Sequence, residues 1–398
     1  MSIGLPRRPW GMLTGVRPGK LMTPLLAQGL NDAQAARQFE RQYDVSPARA
    51  DLVVRTAHAT LRAMESLGEK DVCLYVGIPF CPTRCAYCSF VSQSVEKSMA
   101  LVPEFLQALA REIAATAEAV RRAGLRVVSL YIGGGTPTTL SARQLDALCT
   151  QLAAAFDLSA LREFTVEAGR PDTITADKLQ VLRAHRVDRI SVNPQTLDDR
   201  VLDTIGRRHT AQDIYDALRL VRETGGFAVN MDLIAGLPGD TPDGFRATLE
   251  QVLALAPENV TVHTLSRKRG SNLMAQDAPI PDGAAVGEML DFAGTALPKA
   301  GYAPYYLYRQ KYMSGSFENV GWSRPGGECW YNVDIMSELC SILSFGAGGS
   351  TKMVEPGTNH IERVFNLKYP KEYTERPEKI QQNQAAFAEF YQKYVPET

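Results

Sequence analysis

Between residues 71 and 265, short apolar runs alternate with longer amphipathic stretches. Short apolar runs predict buried strands, whereas apolar positions that recur every three or four residues predict helices. The predicted strands are residues 73–77, 126–132, 163–167, 189–193, 227–234 and 259–265. The predicted helices between them are residues 102–123, 141–156, 176–185, 211–224 and 241–255. Such alternation predicts an α/β fold with a parallel sheet and right-handed crossovers. Because a closed barrel has eight units, we expect an open, partial (β/α)6 barrel.

The segments on either side of this core follow different patterns. An irregular, turn-rich lead is followed by helical periodicity at residues 32–43 and 47–67. Residues 284–300 predict one more helix, after which the chain becomes aromatic and basic, with strand character at 302–312. We therefore expect a helical N-terminal appendage (1–70), the barrel (71–300) and a small C-terminal domain (301–398). Packing in a core or a hairpin is the alternative explanation of the tyrosines at 302–312.

Charge and cysteine usage narrow the class of protein. The 43 basic and 44 acidic residues nearly cancel, so no strong overall field attracts nucleic acid or an anionic membrane. No stretch approaches the roughly 20 apolar residues of a membrane span, and the first residues lack the pattern of a signal peptide. Three of the seven cysteines are clustered and four are scattered, which is typical of a reducing compartment. We expect a cytoplasmic protein that neither spans a membrane nor binds nucleic acid.

The clustered cysteines are Cys81, Cys85 and Cys88, with the spacing C-x3-C-x2-C directly after the first predicted strand. Three thiolates on one short loop can bind three corners of an iron–sulfur cube, which leaves one iron open to a substrate or cofactor. A structural zinc ion would need a fourth ligand, and the next cysteine or histidine in the chain is Cys149. A zinc knuckle or three unrelated thiols is the alternative.

Polar or glycine-rich residues follow the other predicted strands. Chemistry collects at the carboxyl ends of the strands in parallel βα barrels, so these positions are candidates for a single site. They are the loop Gly133-Gly134-Gly135-Thr136, then Glu167, Gln195, Asp232 and His263. Each has a plainer alternative: a tight turn for the glycines, a surface acid for Glu167 and a structural hydrogen-bond acceptor for Asp232. The glycine loop does not continue as a Walker A loop or a dinucleotide fingerprint.

The cysteine spacing resembles the signature of the radical S-adenosylmethionine (SAM) superfamily. The wider stretch from Tyr75 to Phe90 resembles its coproporphyrinogen dehydrogenase (HemN/HemW-like) family. The fold of that superfamily, a (β/α)6 partial barrel, agrees with the one predicted from periodicity. The resemblance implies a [4Fe-4S] cluster on Cys81, Cys85 and Cys88, with SAM chelated at the open iron.

The same resemblance implies which residues contact SAM. In this sequence they are Tyr75, Tyr87, Gly134, Gly135, Thr136, Glu167, Gln195, Arg207 and Asp232. The glycine-rich loop would bind the amino group of the methionine part, and Arg207 would bind its carboxylate. Acidic side chains and carbonyl groups suit the ammonium and ribose hydroxyl groups of the same cofactor.

C-terminal segments carry the resemblance further. Residues 317–332 and 344–350 resemble family segments whose implied role is a lid over the barrel. The haem-chaperone branch has His-Asn-x-x-Tyr where this chain has Tyr331-Asn332-Val333-Asp334-Ile335. The decarboxylating branch has a fourth cysteine shortly after the third, and here Phe90 stands two residues beyond Cys88. Residues 13–18 and 264–269, together with Tyr331-Asn332, resemble most the HemZ subgroup, whose members usually carry extra N-terminal sequence.

The resemblance implies oxygen-independent oxidation of coproporphyrinogen III to protoporphyrinogen IX. An electron passed from the cluster to SAM would give methionine and a 5′-deoxyadenosyl radical. That radical would take a β-hydrogen atom from a propionate, and loss of CO2 and one electron would then leave a vinyl group. The implied partners are the tetrapyrrole and a reductant such as flavodoxin or ferredoxin. Candidate cations for the substrate carboxylates are Arg267, Lys268, Arg269, Arg309 and Lys311, with a solvated basic run as the alternative. A haem- or porphyrin-binding chaperone and another radical SAM enzyme, such as a methyltransferase, are the alternative functions.

Overall fold

The computed structural model describes residues 9–15, 17–89, 93–94, 98–266, 271, 279–310 and 313–395. Within these residues the strands are β1 (Asp71–Ile78), β2 (Phe80–Cys81), β3 (Gln93–Ser94), β4 (Arg126–Gly134), β5 (Glu163–Glu167), β6 (Arg189–Ser191), β7 (Ala228–Ala235), β8 (Asn259–Thr264), β9 (Ala303–Arg309), β10 (Glu318–Ser323), β11 (Ser341–Phe345), β12 (Ser350–Val354) and β13 (Ile361–Phe365). The helices are α1 (Gly19–Ala27), α2 (Asp32–Tyr43), α3 (Pro47–Ser66), α4 (Val102–Arg122), α5 (Ala142–Ala155), α6 (Ala176–Ala184), α7 (Asp199–Thr204), α8 (Ala211–Thr224), α9 (Pro242–Ala254), α10 (Gly283–Lys299), α11 (Trp330–Ser337), α12 (Pro370–Glu375) and α13 (Glu378–Tyr394). Every strand and helix predicted between residues 71 and 265 is present, with ends within two residues of the prediction.

The chain forms two compact units, and each unit is assembled from three separate stretches of sequence. The first unit consists of Met1–Ser66, Gln195–Ile205 and Asn230–Ser337. The second consists of Leu67–Pro194, Gly206–Val229 and Glu338–Thr398. The domain boundaries at residues 70 and 300 stay predictions.

The second unit is built on a mostly parallel sheet with the strand order β13-β12-β11-β1-β4-β5-β6. The strands from β11 to β6 in this order are parallel, and β12 and β13 pair antiparallel at one edge. Val72 of β1 pairs with Ser341 of β11, 269 residues further along the chain. Ile78 of β1 pairs with Gly134 of β4. The loop that carries Cys81, Cys85 and Cys88, called the cysteine loop below, follows β1, and the glycine loop follows β4. The two loops therefore begin side by side at the carboxyl edge of this sheet.

The first unit contains a smaller sheet and the N-terminal helices. Its strand order is β7-β8-β10-β9, with β7 and β8 parallel and the other pairs antiparallel. The carboxylate of Glu318 on β10 accepts a hydrogen bond of 2.7 Å from Trp10 Nε1. The same carboxylate lies 2.8 Å from Arg49 Nε. Because Glu318 and Arg49 are both buried, this network fixes the N-terminal segment and α3 to the sheet.

Tyrosine packing explains the aromatic strand that the sequence predicts at residues 302–312. The strand is present as β9, and residues 311 and 312 lie outside the described residues. Tyr306 lies opposite Gly321 of β10, and a Cβ atom at Gly321 would come within 1.8 Å of its ring. Tyr305 and Tyr306 are buried, so hairpin packing accounts for much of this run.

Among the described residues, five helices, α1, α7, α11, α12 and α13, lie where the sequence predicts no regular element. Helix α1 falls in the turn-rich lead that the sequence predicts to be irregular, and it forms although Pro24 lies inside it and proline is unfavourable within a helix. Its Met22 is fully buried, and α1 packs against α3. Helix α13 lies in the C-terminal stretch, where no element is predicted. Among the described residues, no helix is both long and apolar enough to cross a membrane.

Asp240 gives a pH-dependent prediction. Burial raises the pKa of this carboxyl to about 6, since the Thr241 N–H only partly opposes it and the negative charge of Asp198 adds to it. The unfolded pKa is about 3.9, so the stability linked to the protonated form is present below about pH 4 and is lost as the pH rises through about 6. Asp240→Asn is expected to raise stability by about 2 kcal/mol at pH 7.5 and to change it little at pH 4. The urea midpoints of both proteins at the two pH values check this, and equal shifts at both would contradict it.

Candidate active site

The cysteine loop starts at the carboxyl end of β1. Phe80–Cys81 forms β2, which pairs with β3, and the backbone N–H of Cys88 donates 3.1 Å to the carbonyl of Cys85. Cys85 is buried, whereas Cys81 and Cys88 are half-buried, and none of the three is in a disulfide. The loop therefore presents three thiols from eight residues of chain at the sheet edge.

The surroundings of Cys85 favour its thiolate form. Burial alone would raise the pKa of this thiol, but the cations Arg207 and Arg170 and hydrogen bonds from Tyr87 and Arg207 lower it. Thr136 Oγ1 also donates to Cys81 Sγ at 3.6 Å. Iron–sulfur clusters are held by thiolates, so this donor set fits the cluster that the sequence predicts.

The glycine loop lies flat against the cysteine-bearing strand. Gly135 N–H donates to the carbonyl of Ile78 at 2.8 Å, and Thr136 N–H donates to that of Phe80 at 2.7 Å. Gly134 has a φ of +104°, a conformation that favours glycine. A Cβ atom at Gly135 would come within 2.5 Å of the Phe80 carbonyl oxygen. Backbone-to-backbone contact thus requires these glycines, whether or not a ligand also approaches them.

Gly135→Ala is expected to separate the glycine loop from the cysteine loop. The added methyl group meets backbone atoms, which cannot move aside as a flexible side chain would, so we expect a loss of about 2 kcal/mol in stability. Iron content after anaerobic reconstitution should fall as well. Gly294→Ala in α10 is the control, because a Cβ atom there meets nothing within 4 Å. An unchanged urea midpoint and iron content for Gly135→Ala would contradict the expectation.

Glu167 is held in place at the end of β5. Its Oε1 accepts a hydrogen bond of 2.6 Å from the Tyr131 hydroxyl group. The Tyr131 ring stacks on Tyr75 with 6.0 Å between centroids. Burial, together with the negative charge of Glu167, raises the pKa of Tyr75. Glu167 is thus an oriented, half-buried acid beside the predicted SAM contact Tyr75, which disfavours the surface-acid alternative.

Arg207 is a buried cation next to the cysteine loop. Its Nη1 donates 2.5 Å to the carbonyl of Asn193, and its side chain also hydrogen-bonds Cys85 and Tyr87. Burial alone would lower the pKa of Arg207, but Tyr87 and Cys85 raise it. Burial raises the pKa of Tyr87, although Arg207 opposes this. A guanidinium in this position suits a carboxylate ligand.

Two further residues of this site were not predicted from the sequence. Arg170 is only 3% exposed, and its Nη2 donates to Thr83 Oγ1 at 2.9 Å. His209 is buried, and its pKa is lowered to about 3 by burial and by the cations Arg207 and Arg170. Arg170 lies three residues after Glu167, in the loop that follows β5. The sequence prediction covered only the residue at the end of that strand, and including the whole loop would have found Arg170.

In the first unit, Gln195 and Asp232 are neighbours through their backbones. The N–H of Gln195 donates to the carbonyl of Asp232 at 2.9 Å, and the Gln195 carbonyl accepts from Ile234 at 3.0 Å. Gln195 has a φ of +67°, which is uncommon for a residue with a side chain. Strained positions of this kind cluster at functional sites, which is consistent with the predicted SAM contact.

Asp232 is oriented by its neighbours on β7 and β8. Asn230 Nδ2 donates to Asp232 Oδ1 at 2.8 Å, and His263 Nε2 lies 3.8 Å from Asp232 Oδ2. Burial raises the pKa of Asp232, but His263, Asn230 and Thr261 together lower it further than burial raises it. Asp232 therefore stays ionised and is able to accept hydrogen bonds.

Tyrosines of β9 lie in the same unit as Asp232. Tyr306 and Tyr308 stack with 6.3 Å between centroids and 9° between planes. Tyr306 donates to Thr261 Oγ1 at 3.4 Å. Burial raises the pKa of both tyrosines, and the negative charge of Asp232 adds to this. Both are therefore neutral phenols at physiological pH.

Arg309 binds its own chain rather than presenting a free cation. Its Nη1 donates to the carbonyl of Leu13 at 2.7 Å, its Nη2 donates to that of Ser316 at 3.1 Å, and its guanidinium lies 5.0 Å from the Trp10 ring centroid. The structure thus favours a structural role over the predicted substrate contact. The other candidate cations, Arg267, Lys268, Arg269 and Lys311, lie outside the described residues, as does Phe90.

Comparison with known proteins decides the family. The sequence model described as "Radical SAM superfamily" matches residues 75–252. The "Oxygen-independent coproporphyrinogen-III oxidase-like protein HemZ" of Bacillus subtilis (strain 168) is 40% identical over 372 residues, which are 92% of this chain and 74% of that protein. This chain belongs to the HemN/HemW-like family of radical SAM proteins.

Other members of the HemN/HemW-like family are similar to this chain in sequence or in fold. The "Heme chaperone HemW" of Bacillus subtilis (strain 168) is 36% identical over 308 residues, which are 74% of this chain and 76% of that protein. The solved structure described as "Coproporphyrinogen III oxidase (HemN) from Escherichia coli is a Radical SAM enzyme" matches with a TM-score of 0.63 at 25% identity, covering 81% of this chain and 72% of that one.

Family membership confirms part of what the sequence predicts. The α/β radical SAM fold is confirmed, as are the two cofactors of the family, a [4Fe-4S] cluster and SAM. The role assigned to each SAM-contacting residue stays a prediction.

Proposed function

We propose that this protein carries out the oxygen-independent oxidation of coproporphyrinogen III to protoporphyrinogen IX, converting propionate side chains to vinyl groups. The observation that carries this proposal is the 40% identity, over 92% of the chain, with the HemZ protein named as coproporphyrinogen-III oxidase-like. The fold similarity to the Escherichia coli coproporphyrinogen III oxidase supports it.

The proposed work of this chain is to hold and orient the two cofactors. Bound together, the reduced cluster and SAM supply a strong abstractor of hydrogen atoms. Cys81, Cys85 and Cys88 would hold the cluster as thiolates, a state that the cations beside Cys85 favour. Arg207 would bind the SAM carboxylate through its positively charged guanidinium group.

The remaining proposed contacts would orient the rest of SAM. Glu167, fixed by the Tyr131 hydroxyl group, would accept from hydroxyl or ammonium groups. Asp232, which stays ionised, and its neighbour Gln195 are proposed to accept hydrogen bonds from such groups as well. Tyr75 and Tyr87, with Gly134, Gly135 and Thr136, complete the set. Hydrogen abstraction also requires water and oxygen to be excluded, which is a task of the protein rather than of the cofactors.

The proposed substrate is a flat macrocycle with four carboxylates. In the first unit, the parallel rings of Tyr306 and Tyr308 supply aromatic surface, and His263 supplies a hydrogen-bonding group next to Asp232. The proposed second partner is a one-electron reductant such as flavodoxin or ferredoxin. The cytoplasmic location stays a prediction.

Anaerobic turnover tests the proposal. Reconstituted protein is incubated with SAM, dithionite and coproporphyrinogen III, and the products are separated by mass. The expected result is a vinyl-bearing porphyrinogen together with 5′-deoxyadenosine. Formation of 5′-deoxyadenosine without any decarboxylated product would refute the substrate assignment. S-adenosylhomocysteine as the product would instead indicate a methyltransferase.

Haem carriage is the second candidate, because a haem chaperone is 36% identical to this chain. Against it, Tyr331 stands where that branch has a histidine. Titration with haem under the same conditions separates the two candidates. Tight haem binding in the absence of turnover would replace the first proposal by the second.

A further inference from the structure

Arg170 is a buried cation whose side chain points at the cysteine loop. It follows β5, and only 3% of it is exposed. Its Nη1 lies 3.5 Å from Cys85 Sγ and 3.5 Å from the carbonyl of Thr83, and its Nη2 lies 2.9 Å from Thr83 Oγ1. The guanidinium therefore binds the loop through both its backbone and the sulfur of a cluster ligand.

The charge of Arg170 is not matched by a buried acid among the described residues. Its ion-pair partner there is Asp172, 3.4 Å from Nε, and the Asp172 side chain is 36% exposed. An arginine is always charged, and a buried charge is costly unless an opposite charge compensates it. The thiolates of a bound cluster supply that negative charge at the place where Nη1 points.

Arg207 also contacts Cys85, but its expected task is different. Its guanidinium is the proposed partner of the SAM carboxylate, which would take up its charge when SAM binds. Arg170 instead makes its contacts with the loop itself, at Thr83 and Cys85. The charge of Arg170 therefore acts on the cluster whether or not SAM is bound, whereas the charge of Arg207 would be compensated by SAM.

We propose that Arg170 is a positioning residue that acts through Cys85 Sγ to make the cluster easier to reduce. A [4Fe-4S]2+ core with three thiolates carries one net negative charge, and one electron from a low-potential donor such as dithionite raises this to two. No bond breaks in this step and no proton moves. A hydrogen bond to a ligating sulfur and a fixed positive charge stabilise the more negative state, which raises the reduction potential. The inference concerns the cluster alone and holds whichever substrate the protein has.

A potentiometric titration of the reconstituted protein, followed by electron paramagnetic resonance without SAM or tetrapyrrole, tests this proposal. Arg170→Gln keeps a hydrogen-bond donor but removes the charge, and it should shift the reduction equilibrium at least tenfold towards the oxidised cluster. For a one-electron couple this is a fall in midpoint of about 59 mV. Arg170→Lys keeps the charge and should shift the midpoint less than Arg170→Gln does. The midpoint does not depend on how much protein carries a cluster, so partial loading does not obscure the result.

Two control variants alter the surroundings of Arg170 and leave its contact with Cys85. Thr83→Val removes the hydroxyl group that accepts from Nη2, and Asp172→Asn removes the ion-pair partner. Both are expected to change the midpoint by less than Arg170→Gln does. An unchanged midpoint in Arg170→Gln, or an equal fall in Arg170→Gln and Arg170→Lys, would overturn the proposal. Loss of the cluster from both arginine variants would also overturn it, in favour of a purely structural role.

Discussion

Replacing Cys85 with alanine is expected to abolish cluster binding and to lower SAM cleavage by about a thousandfold or more, as removal of a catalytic group generally does. The change deletes one of the three predicted iron ligands. It also removes the thiol whose ionised form the cations Arg170 and Arg207 favour. Iron and sulfide content after anaerobic reconstitution, and 5′-deoxyadenosine formed with dithionite and SAM, measure the effect. Cys81→Ala and Cys88→Ala should behave in the same way.

Cys149→Ala is the matched control for the cysteine variants. Cys149 is buried in α5, and burial raises its pKa to about 12, so it is a protonated, apolar side chain. Its loss should cost about 1 kcal/mol in stability and leave the iron content unchanged. A Cys85→Ala protein that retained both the cluster and SAM cleavage would show that the site has been assigned to the wrong cysteines.

Glu112→Ala is expected to lower the free energy of unfolding by about 4 kcal/mol, because it leaves three buried donors without an acceptor. Glu112 lies on α4 and is only 4% exposed. Its carboxylate accepts from Gly346 N–H at 2.8 Å, from Asn366 Nδ2 at 2.6 Å and from the Tyr373 hydroxyl group at 2.5 Å. It thus joins α4 to the end of β11, to the segment after β13 and to α12. The shift in the urea midpoint measures the loss.

Glu118→Ala, on the same helix, is the control for this prediction. Glu118 is exposed and pairs with Arg121 and Arg122, one turn further on. Exposed pairs of this kind contribute little to stability, so no measurable change is expected. Tyr373→Phe, which deletes one of the three donors to Glu112, should fall between the two variants at about 1 kcal/mol. Equal urea midpoints for Glu112→Ala and Glu118→Ala would refute the view that the buried carboxylate organises this region.

The alternating strands and helices were predictable because each carries its periodicity within its own sequence. A helix such as α8 has its apolar positions on one face and its cap at Thr210, and both can be read without knowing the rest of the fold. Helix α1 could not be predicted in this way. Its proline opposes helix formation, and burial of Met22 against another helix outweighs that preference. Tertiary packing of this kind leaves no local pattern.

The residues of the candidate site also differ in whether local sequence was enough to predict them. The spacing of Cys81, Cys85 and Cys88 was sufficient to predict them as a site. Glu167 and Asp232 were predicted from their positions on predicted strands. Of the two cations beside Cys85, Arg207 was predicted from the sequence and Arg170 was not. Arg170 is 87 residues from Thr83 in sequence, and no spacing rule links them. What the sequence could not supply was the electrostatic environment, because it depends on which distant loops the fold brings together.

The pairing of β1 with β11 has a consequence for how the protein is made. Val72 emerges from the ribosome 269 residues before its partner Ser341. At 5 to 20 residues per second, the β11-facing edge of β1 waits for roughly 13 to 54 s. An unpaired strand edge is a template for association with another chain. Among the parallel strands of its sheet, β1 therefore waits longest for a neighbouring strand to be synthesised. Slow translation lengthens this delay, so it is the condition under which nascent chains of this protein are most exposed to aggregation.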